Sequence, residues 1–489
     1  MEQAAGQATE PTVQDKHGPL EPGQVIDQFR LEERLHQGGM ANLWRVTRLD
    51  GTEPELPLLM KVPRIKGGED PATIVGFEVE QMLMPRLSGP HVPRFVARGD
   101  WTRQAYVVME RVPGDSLRPR LDHAPLPLDE VVDIGIKVAT ALHDLHRQHV
   151  VHLDVKPSNI MFRATGEAVL VDFGLSRHDH LPDLLEEEFS LPMGTGPYMS
   201  PEQVQFVRND PRSDLFALGV MLYHLSTGER PFGQPSSVAG LRRRLYIEPV
   251  PPRALRPELP PWWQEVVLRC LEVKPERRYQ SAAQLALDLQ NPGEIKLTVR
   301  ASKLQTSGLM KRLRRWFVAL GAEPPTQQSC TEQVARSPII LAAVDVQGAT
   351  PGLLAKLSET VRRVLEIEPG ARLACVSVMK TARIGMDELT DEQGRSHHVK
   401  QLVALKHWVR PVSQALKLED GRLTFHVLEA PDPATALIEF AAKMGVDHII
   451  MGARDNSVLR RYLGSVSARV VAESDCSVTV VREMGKRAG

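Results

Sequence analysis

Two short polar stretches interrupt apolar surroundings in the first half of this chain. One reads Val151-His152-Leu153-Asp154-Val155-Lys156-Pro157-Ser158-Asn159, the other Val171-Asp172-Phe173-Gly174. Upstream, Lys61 closes the apolar run Leu58-Leu59-Met60, and Glu80 sits in a helical stretch. Downstream stand Thr195, Glu202, Asp214 and Arg278. Ammonium groups, carboxylates and amide oxygens are the groups that hold phosphate and hard divalent cations, and a carboxylate can also take up a proton. A second set, Asp345, Gly452, Gly464 and Ser465, lies at the ends of apolar runs and at the opening of a helical segment in the last third.

The elements that must position the first set form two unlike regions. Short strands are expected at 29–35, 43–49, 56–62, 92–97 and 105–109, with one helix at 73–87. A long amphipathic helix follows at 129–149, where Val132, Ile136, Val138, Leu142 and Leu145 recur at helical spacing. From Pro201 to about Leu289 the chain reads as mostly helical. A strand-rich lobe is thus followed by a helix-rich lobe across 28–292, preceded by a loose tail at 1–27.

Segment 293–336 carries loop signals, including Ser307-Gly308 and Pro324-Pro325. Within it, Leu309, Leu313, Trp316, Phe317 and Leu320 predict a short amphipathic helix with basic residues on the other side. From 337 to 484 near-continuous apolar strands alternate with helices, the pattern of a parallel sheet covered on both faces. The whole is a multidomain chain, α+β first and α/β second.

Composition narrows the functional classes. Lys plus Arg number 60 against 61 Asp plus Glu, so the chain has no global bias toward nucleic acid or membrane. Aromatics at 5% argue against a stacking surface for single-stranded nucleic acid. The four cysteines, at 270, 330, 375 and 476, make no CxxC pair, which argues against a zinc ribbon or a disulfide framework and for a reducing cytoplasm. No signal peptide or 18-residue apolar run is read.

Taken in order, the first set resembles a protein kinase. The 151–159 stretch looks like the catalytic loop, 171–174 like the metal-binding DFG segment, and Ser200-Pro201-Glu202 like the end of the activation segment. Asp214 is similar to the aspartate that anchors the catalytic loop, and Arg278 to the partner of Glu202. Gly-Gly-Met near the phosphates and the Gly194–Glu202 stretch are closest to the bacterial serine/threonine branch. The resemblance implies ATP with Mg2+ as cofactors, Mn2+ being able to substitute. Lys61 would pair with the α- and β-phosphates and be held by Glu80. Asp172 and Asn159 would bind the metal, Asp154 would accept the substrate proton, and Lys156 would steady the γ-phosphate. Thr195 implies a Ser or Thr acceptor. Gly38 and Gly39 would lie over the phosphates. Leu43, Leu59, Met109, Glu110, Val112 and Met161 would surround the adenine.

The sequence departs from that pattern in places. The phosphate loop, His36-Gln37-Gly38-Gly39-Met40-Ala41, keeps the middle glycine and one beside it, which predicts weakened nucleotide binding. Leu153 replaces an arginine that many kinases use to grip a phosphorylated loop, so activity should depend less on loop phosphorylation. Glu186-Glu187-Glu188 reads as a solvated face, or as a preference for basic substrates. The alternative to an active kinase is a pseudokinase scaffold with weak nucleotide binding.

Segment 337–484 resembles a universal stress protein. ATP-binding members carry Gly-x-x-Gly, nine residues, then Gly-Ser. Here Gly452 is followed by Asp455 in place of the second glycine, and Gly464-Ser465 comes after eight residues. The resemblance implies either a nucleotide site, with Asp345 at the ribose or adenine edge, or a regulatory and dimerising module. The last strand, around Val478–Val481, would pair with its twin in a homodimer. The expected partners are therefore a protein substrate and a second copy, with no nucleic acid. Peripheral membrane contact through the linker helix is the less favoured option.

Overall fold

The computed structural model describes residues 20–38, 41–51, 56–64, 71–189, 192–306, 316, 338–368, 370–381, 396–418, 422–453 and 464–483. Six strands make the first sheet: β1 (Val25–Ile26), β2 (Phe29–Gln37), β3 (Ala41–Arg48), β4 (Leu58–Pro63), β5 (Phe95–Gly99) and β6 (Tyr106–Glu110). All neighbouring pairs are antiparallel, in the order β1-β2-β3-β4-β6-β5. Alternation along the strands gives the sheet a dry face of Phe29, Leu31, Trp44, Val46, Met60 and Val108. α1 (Pro71–Leu83) is the one α-helix of this lobe among the described residues, and it is buried from Ile74 to Gln81 and again at Leu83.

The helix-rich lobe holds two small hairpins. β7 (Val150–Val151) pairs with β10 (Arg177–His178), and β8 (Ile160–Phe162) with β9 (Ala168–Leu170). Its helices are α2 (Leu128–Arg147), α3 (Leu184–Glu188), α4 (Pro201–Val204), α5 (Arg212–Thr227), α6 (Val238–Arg242), α7 (Pro252–Leu255), α8 (Pro261–Cys270), α9 (Ala282–Gln290) and α10 (Val299–Ser302). α5 is buried on almost every side. It approaches α8 so closely at Gly219 that a Cβ there would sit 2.5 Å from Cys270 Cβ. The lobe continues past residue 292. Thr298 and Arg300 bind Glu265, and Lys303 pairs with Glu248 at 2.5 Å.

The second region is a five-stranded parallel sheet of β11 (Ile339–Ala343), β12 (Arg372–Lys380), β13 (Leu423–Ala430), β14 (His448–Ala453) and β15 (Ser477–Arg482), ordered β13-β12-β11-β14-β15. The helices are α11 (Pro351–Ile367), α12 (His397–Leu416), α13 (Pro433–Met444) and α14 (Ser465–Glu473). Successive β11 residues face opposite layers. Ile340 and Ala342 join the core of α11 and α12, whereas Ile339 and Leu341 join that of α13 and α14.

The two regions touch. α3 lies between α1 on one side and β13 and α13 on the other. The sequence reading of Glu186–Glu188 as a solvated face is corrected here. Glu187 is 5% exposed and the Glu188 carboxylate is equally covered, because the second region sits on them. The predicted linker helix, Gly39 and Asp455 fall outside the described residues, Trp316 excepted.

Candidate active site

The strands place one row of the site. β3 and β4 set Leu43 opposite Lys61, and β4 and β6 set Leu59 opposite Met109. From β4, the Lys61 ammonium donates to Glu80 Oε2 of α1 at 2.6 Å and to Asp172 Oδ1 at 2.8 Å. Burial works against the charge on Lys61, but Asp172 and Glu80 outweigh it and hold the ammonium above its ordinary range. Conversely, Lys61 holds the Asp172 carboxyl down at about 2. Burial raises Glu80 against the pull of Lys61. Asp172 adopts a left-handed backbone, φ 67°, while the next side chain, Phe173, is fully buried against His152. Such a conformation persists for a non-glycine residue where the surroundings over-determine it.

The catalytic-loop set converges on Asp154. Lys156 Nζ donates to Asp154 Oδ2 at 2.6 Å and to Thr195 Oγ1 at 2.9 Å. Thr195 in turn donates its hydroxyl to Asp154 Oδ1 at 2.6 Å and its backbone N–H at 3.1 Å. Asn159 Nδ2 donates to the Asp154 backbone oxygen at 3.0 Å and to Oδ2 at 3.1 Å. Leu153, also left-handed at φ 63°, is held from both ends. Its N–H goes to Asp214 Oδ1 at 2.8 Å, and its carbonyl accepts from Gln203 Nε2 at 2.8 Å. Asp214 also accepts the His152 N–H at 2.8 Å and faces His146 Nε2 at 2.9 Å. The segment beyond Thr195 is clamped by Arg278, whose guanidinium grips both oxygens of Glu202 at 2.6 and 2.7 Å, with Ser213 donating to the same carboxylate.

The structure thus brings Lys61, Glu80 and Asp172 into one group, and Asp154, Lys156, Asn159 and Thr195 into another. Met109, Glu110 and Val112 are buried, and Met161 is half-buried on β8. Glu110 has a partner that sequence reasoning missed: Arg163 binds both of its carboxylate oxygens, and the Arg94 N–H adds a third contact. Gly38 N–H donates to Ala41 O at 3.0 Å, and its carbonyl accepts from Arg64 Nη1 at 2.8 Å. Arg64 was also missed, since nothing in the sequence ties it to the loop.

In the second region Asp345, Gly452, Gly464 and Ser465 line one cavity of about 940 Å3, together with Gln401 and His397 of α12. Gly464 caps α14, and Asp345 Oδ1 accepts the Gly348 N–H at 2.9 Å. The sequence set from that region is therefore brought together as well. Gln401 joins it from a helix with no motif of its own, fixed by Ser377 Oγ at 2.7 Å.

A strand-rich lobe and a helix-rich lobe joined through Lys61 and Asp172 have the architecture of a protein kinase, and the parallel sheet that follows, covered by helices on both faces, is a separate α/β domain. Residues 61–288 match the protein kinase domain family, and residues 338–482 match the universal stress protein family. The chain carries a protein kinase domain followed by a universal stress protein domain. It is 32% identical over 275 residues to the serine/threonine-protein kinase PknB of Mycobacterium tuberculosis, covering 55% of this chain and 43% of that one. A probable serine/threonine-protein kinase of Clostridium acetobutylicum is 27% identical over 268 residues, 55% of this chain and 40% of the other. The chain spans about two fifths of the length of these relatives. The similarity supports the serine/threonine kinase class of activity. Among the described residues, no helix is long and apolar enough to cross a membrane.

Proposed function

We propose that this chain is an ATP- and magnesium-dependent serine/threonine protein kinase acting in the cytoplasm, with a second domain that regulates or dimerises it. The observation that carries the reading is that the Lys61–Glu80–Asp172 group and the Asp154–Lys156–Asn159–Thr195 group lie close together: the Val171 N–H donates to the Asn159 carbonyl at 3.0 Å, and Lys61, helped by the Lys156 charge, holds the Asp172 carboxyl down. The donor chemistry fits the cofactor. Asp172 is held ionised and Asn159 offers an amide, the oxygen ligands a hard cation takes, and Mn2+ could take the same ligands. When bound, magnesium-ATP supplies the phosphoryl group and neutralises its developing charge. The rest falls to the chain. Lys61, steadied by Glu80, holds the phosphates. Asp154 orients the acceptor hydroxyl and takes its proton. Lys156 bridges Asp154 and Thr195, which keeps the carboxylate aimed and favours a Ser or Thr acceptor.

A second reading, a scaffold that binds nucleotide weakly, is favoured by the hydrogen bonds that Gly38 makes to Ala41 and Arg64. Those backbone groups are engaged within the chain. Incubation with labelled ATP, magnesium and a general basic protein separates the two readings. Transfer to Ser or Thr in the wild type, abolished in Asp172→Ala and strongly reduced in Asp154→Asn with nucleotide affinity kept, supports the kinase. Transfer that survives in Asp172→Ala sinks it.

The stress-protein cavity is proposed to take a nucleotide, with Ser465 and the start of α14 at the phosphates and Asp345 at the ribose. β15 lies at the sheet edge, where it can pair with a second copy to give a homodimer. Light scattering on the full chain and on Val480→Pro tests this, because proline removes a donor from the pairing strand. A monomeric wild type excludes the homodimer.

A further inference from the structure

Four basic side chains of the second domain meet the first domain at two acidic elements. Lys406 of α12 pairs with Glu78 of α1, and its ammonium also lies 5.2 Å from the Phe425 ring centre. Arg372 of β12 donates to Glu187 Oε2 at 2.7 Å. His426 of β13 is wholly buried between the Glu187 and Glu188 carboxylates, 3.1 and 3.3 Å away. Lys443 of α13 adds bonds to the carbonyls of Glu186 and Glu187. Apolar packing joins these contacts, because Leu184 and Leu185 of α3 belong to the same buried cluster as Val427 and Leu402 of the second domain.

The contacted elements belong to the catalytic machinery. Glu78 lies two residues before Glu80, on the helix whose position decides whether Glu80 reaches Lys61. α3 belongs to the segment that runs from Asp172 to Thr195, and it packs on α1. Meanwhile the residue before Asp154, Leu153, is apolar and buried, so it brings no charge to the 186–188 carboxylates. Glu186 also has Arg177 and Arg208 of the first domain nearby, but the positive charge beside Glu187 and Glu188 comes from across the domain boundary, from Arg372 and His426. With the domains docked in this way, Lys61–Glu80 and Thr195–Asp154 are both closed, at 2.6 Å each.

We propose that Lys406, Arg372 and His426 are positioning residues for phosphoryl transfer, through which the stress-protein domain holds α1 and α3 and so acts as a built-in activator of the kinase. The proposal rests on reading the first domain as an active kinase. Its physical basis is a charge switch in cis: a buried acidic run that folds in place only when cations cover it. The activator could itself be adjusted, because α12 carries Gln401 and His397 at the cavity as well as Lys406 at α1.

The test uses the full chain and three variants: Lys406→Glu, the charge-swapped Glu78→Lys/Lys406→Glu, and Lys406→Arg. Hydrogen exchange of α1 and α3 is measured without nucleotide, and peptide phosphorylation with it. The expected result for Lys406→Glu is faster exchange in both helices and a kcat lower by about tenfold at unchanged peptide KM. The swap and Lys406→Arg should each restore most of both. Unchanged exchange in Lys406→Glu overturns the docking. Faster exchange with unchanged or increased transfer overturns the activating role. A swap that rescues neither readout reduces the pair to a folding contact and also overturns the proposal. If the wild type transfers no phosphate, the kinase reading and the activating role fall together, while the docking still stands or falls on exchange.

Discussion

Asp214 Oδ1 accepts the backbone N–H of Leu153 at 2.8 Å and thereby pins a left-handed residue one position before Asp154. The same carboxylate takes the His152 N–H through its other oxygen. Replacing Asp214 by Asn leaves an amide that can accept at one end and opposes a donor with a donor at the other. Hydrogen bonds to charged acceptors are worth about 1.5–3 kcal/mol, so kcat should fall by roughly tenfold to a hundredfold. Steady-state kinetics with a peptide, alongside a nucleotide titration that stays unchanged, checks this. A drop in nucleotide affinity of the same size would show that Asp214 acts on the fold at large.

Arg278 and Glu202 form a bidentate pair in which the guanidinium is fully buried. Breaking such a pair from one side leaves the other charge uncompensated, at a cost of about 3–5 kcal/mol. Arg278→Met should therefore lower the melting temperature by on the order of 10 °C. Adding Glu202→Gln should recover part of that loss. Calorimetry on the two variants decides it, and a double variant no better than the single would count against the pair as the cause.

Gly219 is the contact point between α5 and α8. Gly219→Ala would put its new carbon 2.5 Å from Cys270 Cβ, and neither atom is the flexible end of a side chain. Overpacking of this kind costs about 1–3 kcal/mol. Cys270→Ala keeps the offending carbon and should not relieve the clash, whereas Cys270→Gly should. Denaturant midpoints of the three variants provide the comparison.

The domain interface should weaken in alkali. Burial opposes a charge on His426, but its contacts with Glu187 and Glu188 prevail and raise the imidazole to about 9. Burial raises Glu188 as well, with Glu78 of α1 and His398 of α12 among the charges around it. Arg372 of β12 sits on Glu187. A raised histidine stabilises fully below its unfolded value of about 6.5, and that stabilisation is lost as pH climbs through the folded value. The full chain should thus lose more thermal stability between about pH 7 and about pH 10 than His426→Gln does. Parallel pH profiles in the two proteins would remove His426 as the cause.

Much of the kinase site was legible because its residues lie in short local runs with fixed order. Asp154, Lys156 and Asn159 share one loop, and Lys61 is marked by the apolar run Leu58-Leu59-Met60 that precedes it on β4. The stress-protein set was legible for the same reason, with Gly464 and Ser465 opening α14. Arg163, Arg64, Arg372, Lys406 and His426 were not. Each reaches a partner far away in the chain, and an isolated basic residue looks the same in sequence whether it faces solvent, a backbone carbonyl or a buried carboxylate. The acidic run at 186–188 was visible, but local spacing could not show that its counter-ions stood more than 180 residues on, as Arg372 does for Glu187.

The placement of α3 between the two domains has a consequence for the order of synthesis. Both kinase lobes leave the ribosome before β12, α12 and β13 exist, and domains generally fold as they emerge. A nascent chain would then own a complete set of catalytic side chains while α1 and α3 still lacked their cover. If the second domain activates the first as proposed, competence to transfer phosphate would be gained late, when the last sheet closes.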